Sequence, residues 1–144
     1  MAGSPTFVII GGGLAGAKAA EALRSKDFDG QVVLFSAEDR LPYERPPLSK
    51  EFMVGKKTVE EFTVQPQSWY AEHDVDLKLG TEVTTLDRTA HMVAFNSGDH
   101  EHYDKLLLAT GSRARKPPIP GADADGVYYL RTVDDATVLL AQFT

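Results

Sequence analysis

The chain contains no cysteine. Disulfides, thiolate metal ligands and a redox-active dithiol are therefore excluded, and the composition fits a reducing compartment, so a cytoplasmic location is expected. Long apolar runs are also missing. None approaches the ~20 residues of a membrane-spanning helix, and the apolar stretch 7–20 lacks a basic leader and is broken by four glycines, unlike a signal peptide. Basic charge is in deficit: 15 Lys and Arg against 21 Asp and Glu leave a formal charge of −6. That balance disfavours a nucleic-acid face, which must neutralise phosphates, so neither nucleic acid nor membrane is expected as a partner. Repeats and low-complexity tracts are absent too. What remains is 144 residues, 42% hydrophobic and 25% charged, an ordinary composition for one folded domain with a real core.

The glycine-rich turn Gly11-Gly12-Gly13-Leu14-Ala15-Gly16 stands directly after the apolar run Phe7-Val8-Ile9-Ile10. Thr6–Ile10 reads as a buried parallel strand, being a continuous β-branched and aromatic run that ends in glycine. Residues 14–26 read as an amphipathic helix of small residues, with Leu14, Ala17, Ala19 or Ala20, and Leu23 on one side and Lys18, Glu21 and Arg24 elsewhere. Asp27-Phe28-Asp29-Gly30 supplies a turn and 32–35 a second parallel strand, completing a right-handed β-α-β unit. This context lifts a G-x-G-x-x-G match above chance. Gly11 permits the tight turn, Gly13 lets the backbone approach a pyrophosphate, and Gly16 allows close packing of helix on strand. The first N–H groups of the helix have no internal partner and carry partial positive charge, which suits a diphosphate. Such a site needs an acid near the end of the second strand to accept ribose hydroxyls, and Glu38, with Asp39 beside it, is the candidate. Read alone, either is an ordinary solvated acid.

Residues 37–47 read as loop, with Pro47 opening a short helix through about Met53 and Pro66 another through Glu72. From Val75 the pattern becomes short alternating runs, 75–79, 82–86 and 91–95, separated by turn residues and expected to form a meander. Residues 106–111 return to the glycine-ended form of the first strand and are expected back in the parallel sheet, buried. Residues 112–126 read as surface loop, 127–130 as a last short strand, and Thr132 or Asp134 as the cap of a helix from about 134 to 142. The expected fold class is α/β: a doubly wound, Rossmann-like domain with a parallel sheet and a β-meander insertion, after a short mobile start.

The run Leu41-Pro42-Tyr43-Glu44-Arg45-Pro46-Pro47-Leu48-Ser49-Lys50 joins the glycine turn, Gly80-Thr81-Glu82-Val83, Ala109-Thr110-Gly111 and Leu130-Arg131-Thr132 in one order over almost the whole chain. Together these blocks resemble the FAD-dependent pyridine-nucleotide oxidoreductases of the ferredoxin reductase type. These flavoproteins serve oxygenases and cytochromes P450, include rubredoxin reductases and monodehydroascorbate reductase, and are related to apoptosis-inducing factor. The resemblance implies FAD as cofactor, with NADH or NADPH as donor in a complete enzyme and a ferredoxin- or rubredoxin-like iron–sulfur carrier as acceptor. It implies that Gly11, Gly13, Leu14, Ala15 and Gly16 hold the pyrophosphate. Arg45, Pro46 and Lys50 would contact FAD from the proline-rich loop, with Lys50 the candidate catalytic residue. Val83 would line the adenine pocket through its backbone, Ala109, Thr110 and Gly111 would pass close to the cofactor, and Arg131 would reach its phosphates or ribose. This chain has Ala37 where the family often carries an acid, so the ribose contact is either shifted by one residue or made by Glu38 alone. Related disulfide reductases carry two cysteines soon after the second strand. Here the proline-rich loop takes that place, and electrons would leave the flavin directly.

Other features read as ordinary structure. His100-Glu101-His102 has chelating spacing but no third ligand in view, and no metal is expected. Trp69 and Tyr70 read as packing residues of a helix, and Ser49 has no paired His and Asp. Arg113, Arg115 and Lys116 form a compact basic cluster that is either a docking patch for an acidic carrier or a solvated loop. By the resemblance, the chain is expected to be the amino-terminal portion of an FAD-binding domain, with the NAD-binding and carboxy-terminal interface domains outside it. It is then expected to have little NADH-dependent activity alone, and to expose apolar surface through which it self-associates. The alternatives are a flavin-binding module with a signalling or assembly role, and an inactive truncated fragment.

Overall fold

A computed structural model describes residues 3–143 and divides them into two compact units. The expected mobile start lies partly on Met1 and Ala2, outside the described residues. The first unit runs to Tyr43 and resumes over Thr63–Gly111. Its parallel sheet has the order β3-β2-β1-β7, with β1 Thr6–Ile10, β2 Gln31–Phe35, β3 Val75–Lys78 and β7 Lys105–Leu108. Val8 pairs with Val33 on one side and Leu106 on the other. An antiparallel sheet follows the order β4-β5-β6, with β4 Val83–Asp87, β5 Met92–Phe95 and β6 His100–His102.

Alternation along the central strands builds two apolar layers. Ile9, Val32 and Leu34 pack with Ala20 of helix α1 (Leu14–Ser25), Tyr70 of helix α2 (Gln67–Glu72) and Val75. Val8, Ile10, Val33 and Phe35 pack with Val93 of β5, and the Phe35 and Phe95 rings lie 5.1 Å apart. Coverage of both faces is why β1 and β2 are unbroken apolar runs. Helix α1 lies close on the sheet through Gly16, Ala17 and Ala20. Leu14, expected on that buried stripe, is 43% exposed, because it opens the helix before the chain has crossed back over the sheet. Arg24, read as a polar-face residue, is a staple. Its guanidinium donates to the carbonyls of Phe28, Gly30, His73 and Asp74 at 2.6–2.9 Å, a use of the rigid five-donor fork.

The structure corrects the expected strands. Residues 75–79 do not join the meander: β3 pairs in parallel with β2. It alternates because it is an edge strand, with Val75 and Leu77 against the helical layer and Asp76 and Lys78 paired at 2.8 Å. The third meander strand is instead β6, which contains the His-Glu-His run. Strand β7 is in the parallel sheet as expected but is not buried: Leu107 and Leu108 are 43% and 59% exposed on the outer strand. Residues 127–130 form no strand.

The second unit comprises Glu44–Phe62 and residues 112–143. The helix expected from Pro47 to Met53 is a single 3-10 turn, Pro46–Ser49, which breaks at Lys50 where φ is −130 and ψ −105. A second 3-10 turn spans Glu60–Phe62, and helix α3 spans Val133–Leu140, packed on the first turn through an interface that buries Pro47, Leu48, Val133 and Ala136. Residues 112–130 are irregular, and Val127–Leu130 finds no strand to pair with among the described residues. No helix of the described residues is long and apolar enough to cross a membrane.

Candidate dinucleotide site

The parallel strands of the first unit end at one rim, and the glycine turn sits on it. Gly11 has φ +125, a conformation that favours glycine. Its N–H donates to the Phe35 carbonyl at 2.9 Å, and a Cβ there would stand 2.1 Å from the Ala109 carbonyl oxygen. The ends of β1, β2 and β7 therefore meet at this residue, with Ala109-Thr110-Gly111 passing against the turn. A Cβ at Gly12 would meet Ser36 at 2.3 Å, and one at Gly16 would meet the Gly11 carbonyl oxygen at 1.9 Å. Gly13 differs. Nothing lies within 4 Å of its Cβ position, and its φ of −96 and ψ of −170 are open to any residue.

Gly13 is also the N-cap of α1, which has no side-chain cap and no acid in its first turn. Its first N–H groups thus have no side-chain cap, beside a Gly13 Cβ position that is open. That room and that polarity fit a diphosphate. Packing within the protein accounts for glycine at 11, 12 and 16 but not at 13. Leu14 and Ala15, both exposed, flank this opening.

Glu38 follows β2 on the same rim, in a loop tied down through its backbone. The Glu38 carbonyl accepts from Ser36 Oγ at 3.0 Å and Gly80 N at 3.1 Å, while Thr81 N donates to the Ser36 carbonyl at 2.8 Å. The Glu38 carboxylate accepts the Tyr43 phenol at 2.6 Å. Ala37 is exposed and brings no polar side chain. Val83, half-buried at the start of β4, packs against the Val8 and Phe35 layer.

In the second unit, Arg45, Pro46, Leu48, Ser49, Leu130 and Arg131 line a cavity of about 490 Å³. Two arginines from distant parts of the chain face it together. Arg45 Nη1 donates to the Arg131 carbonyl at 2.7 Å, and Arg131 Nε donates to the Ser112 carbonyl at 2.9 Å. Lys50, on the residue where the 3-10 turn breaks, is exposed and outside the cavity lining. The backbone of Arg131 is set by α3. Asp135 Oδ2 accepts from Arg131 N at 2.9 Å and Thr132 N at 2.8 Å, and Asp135 N donates to Thr132 Oγ1 at 3.1 Å, a reciprocal cap.

Burial pushes the Asp135 carboxyl up, but hydrogen bonding with Thr132 and Arg131, with the Arg45 charge beside it, outweighs this and holds it below its ordinary 3.8. A carboxyl lowered in the folded state contributes stability that is full above its unfolded value and lost as pH falls through the folded value. Thermal unfolding should therefore become easier on acidification below about pH 4, and Asp135→Asn should flatten that dependence at a cost of about 1 kcal/mol at neutral pH. Calorimetry of both proteins from pH 7 to pH 3 checks this; parallel profiles would remove Asp135 from the account.

Three side chains acquire roles that the sequence did not disclose. Tyr43 and Arg24 act on groups positioned by folding, whereas Asp135 caps backbone three and four residues before it, where the Thr-x-x-Asp spacing directly after Arg131 is a readable capping signal. The remaining candidates are plain. His100 and His102 have ring centroids 6.1 Å apart, and no group of three or more potential ligands occurs among the described residues. Tyr70 is a core residue whose hydroxyl is pushed up to about 12 by burial and by Glu21. Arg113, Arg115 and Lys116 are exposed, and Lys116 is engaged within its own loop by Asp123 at 3.5 Å and the Tyr129 ring at 5.5 Å.

The family model described as pyridine nucleotide-disulphide oxidoreductase matches residues 5–144. The chain is 40% identical over 131 residues to the 3-phenylpropionate/cinnamic acid dioxygenase ferredoxin–NAD(+) reductase component of Photorhabdus laumondii, covering 91% of this chain and 33% of that protein. It is 38% identical over 130 residues to a rubredoxin–NAD(+) reductase of Pseudomonas putida, covering 90% of this chain and 34% of the relative. Among solved structures, the covalent putidaredoxin reductase–putidaredoxin complex superposes with a TM-score of 0.89 at 36% identity, over 98% of this chain and 34% of that one. The chain thus spans about a third of the length of the curated relatives it matches.

Proposed function

This chain belongs to the pyridine nucleotide-disulphide oxidoreductase family, and from that premise we propose that it is the amino-terminal portion of the FAD-binding domain of an NAD(P)H-dependent ferredoxin reductase. In this reading the NAD-binding and interface domains are further parts of a longer polypeptide. The observation that carries the cofactor assignment is the open space at Gly13, over the uncapped N-terminus of α1. The relatives named as ferredoxin–NAD(+) and rubredoxin–NAD(+) reductases support a nicotinamide donor and a small iron–sulfur carrier as acceptor. The cysteine-free composition supports a cytoplasmic location.

Each residue then has a task. Gly11 and Gly16 hold strand, turn and helix in register. Gly13, Leu14 and Ala15 present backbone N–H groups to the pyrophosphate, Glu38 accepts from ribose hydroxyls, and Val83 and Ala109-Thr110-Gly111 bound the cofactor's path with backbone. Arg45 and Arg131, with uncharged Pro46 beside them in the cavity lining, would offer positive charge to phosphate or ribose. Bound FAD would supply the chemistry, taking electrons as a pair from NAD(P)H and releasing them singly. With no thiol among these 144 residues, this chain contributes none to a dithiol relay. Lys50 adds an exposed cation that favours extra negative charge near it.

Titration of the purified chain with FAD, followed by its visible spectrum and by NADH addition under nitrogen, tests the reading. Saturable shifts of the flavin bands are expected, with little bleaching by NADH. Absence of binding would defeat the cofactor assignment, and NADH turnover by the chain alone would defeat its placement as an amino-terminal portion. Lys50→Met should keep the fold, weaken FAD binding by roughly two- to fivefold, the worth of an exposed ion pair, and shift the flavin potential negative. A potential and an affinity equal to the parent's would leave Lys50 as surface charge. Exposed Leu107 and Leu108 on β7 also favour self-association, which light scattering measures.

A further inference from the structure

We propose that Tyr43 is a positioning residue for the ribose-binding carboxylate, fixing Glu38 before the cofactor arrives and so setting the preference for FAD over FMN. The inference rests on the FAD reading above and extends it to a side chain that never touches the ligand. Tyr43 is 3% exposed, and its hydroxyl donates to Glu38 Oε2 at 2.6 Å. That length is in the range of a hydrogen bond to an ionised carboxylate. The phenol cannot swing away. Tyr43 bridges Thr63 in antiparallel fashion, and the neighbouring Pro42, itself buried, accepts from Val64 N at 2.8 Å.

Glu38 by contrast sits half-exposed in a loop, where a glutamate would sample several rotamers. Immobilising a flexible side chain on binding costs affinity, and a carboxylate already held in place avoids that cost. An ionised carboxylate has about four lone-pair sites, of which this phenol occupies one. The backbone of Glu38 is fixed separately, by Ser36 Oγ and Gly80 N. Removing the phenol hydroxyl therefore takes this one hold from the side chain while the loop keeps its path. The distinction matters for specificity: FMN has no adenosine ribose, so a residue acting through Glu38 affects FAD alone.

Tyr43→Phe, Glu38→Gln and the double variant of this chain, titrated with FAD and with FMN and followed by flavin fluorescence, test the proposal. Tyr43→Phe should weaken FAD binding about tenfold, the worth of one hydrogen bond to a charged group, and change FMN binding less than about twofold. In the Glu38→Gln background, adding Tyr43→Phe should change FAD affinity little, because the phenol acts through the carboxylate. Equal losses for FAD and FMN, additive losses in the double variant, or unfolding of Tyr43→Phe by circular dichroism would each make the hydroxyl a structural feature and overturn the proposal. If the parent chain binds no FAD, the cofactor reading falls first. If the parent binds FAD and Tyr43→Phe matches it, only the positioning role falls.

Discussion

Gly13→Val should abolish FAD retention and leave the chain folded. Beyond its immediate chain neighbours and its own helix, no heavy atom lies within 4 Å of the position its Cβ would take, and the backbone there is ordinary extended chain. The substitution therefore meets no clash inside the protein. Its structural cost is that of a poor N-cap residue, about 1 kcal/mol. A branched side chain would instead fill the space over the first turn of α1, where an anion must come within hydrogen-bonding distance of the N–H groups. Affinity should fall by roughly two orders of magnitude or more, since backbone donors cannot reach past the isopropyl group. Flavin titration beside circular dichroism and thermal melting reads the two effects separately. A folded Gly13→Val protein that binds FAD like the parent would sink the pyrophosphate assignment.

Gly16→Val, three residues on, should do the reverse and prevent folding. A Cβ at Gly16 would stand 1.9 Å from the Gly11 carbonyl oxygen, 3.1 Å from the carbon of that group and 3.2 Å from Leu34 Cδ1. The first two are backbone and cannot swing aside. Relief requires α1 to lift from the sheet, which would uncover Ala17 and Ala20 and open the layer around Ile9 and Leu34. Overpacking against a rigid neighbour, with loss of helix burial, costs on the order of 4 kcal/mol or more. That is a large share of a small domain's stability. Soluble yield and the thermal midpoint report it, and Gly16→Ala should show the same effect in milder form. A Gly16→Val protein with the parent's midpoint would mean that helix and strand are not in this close contact.

The two glycines show what sequence can and cannot tell. G-x-G-x-x-G between a strand and a helix announces a close turn, but only the structure shows that glycine is required by contact at 11, 12 and 16 and left unexplained at 13. The β-α-β unit was legible because β1 and β2 are buried on both faces and α1 carries its small residues at helical spacing. Strand β3 misled because it lies at the sheet edge, where one face is dry and one wet, and so reads like a meander strand. Strand β6 was hidden by polar residues beside a glycine turn, and 127–130 looked like a strand but pairs with no edge among the described residues. Among the candidate residues, the motifs singled out Arg45, Arg131 and Glu38. What holds them in place was not readable, because Arg45 meets a carbonyl 86 positions away and Tyr43 reaches Glu38 only once its own segment is pinned.

The pairing of β7 with β1 has a consequence for the order in which this site comes into being. Thr6 N donates to Asp104 Oδ2 across 98 positions, while Thr6 Oγ1 reaches Gln31 across 25. Chain-closure entropy and the slowness of distant contacts therefore favour β1, α1 and β2 as the early nucleus, with β7 docking last. Amides of β2, enclosed by neighbours on both sides, should exchange with solvent most slowly, and those of β7, at the outer edge, sooner. Because Ala109 closes against Gly11 only when β7 arrives, the glycine turn is enclosed only in this late step. On the proposed FAD reading, the cofactor cradle would close only as β7 docks, and flavin bound there would in turn hold that strand against β1.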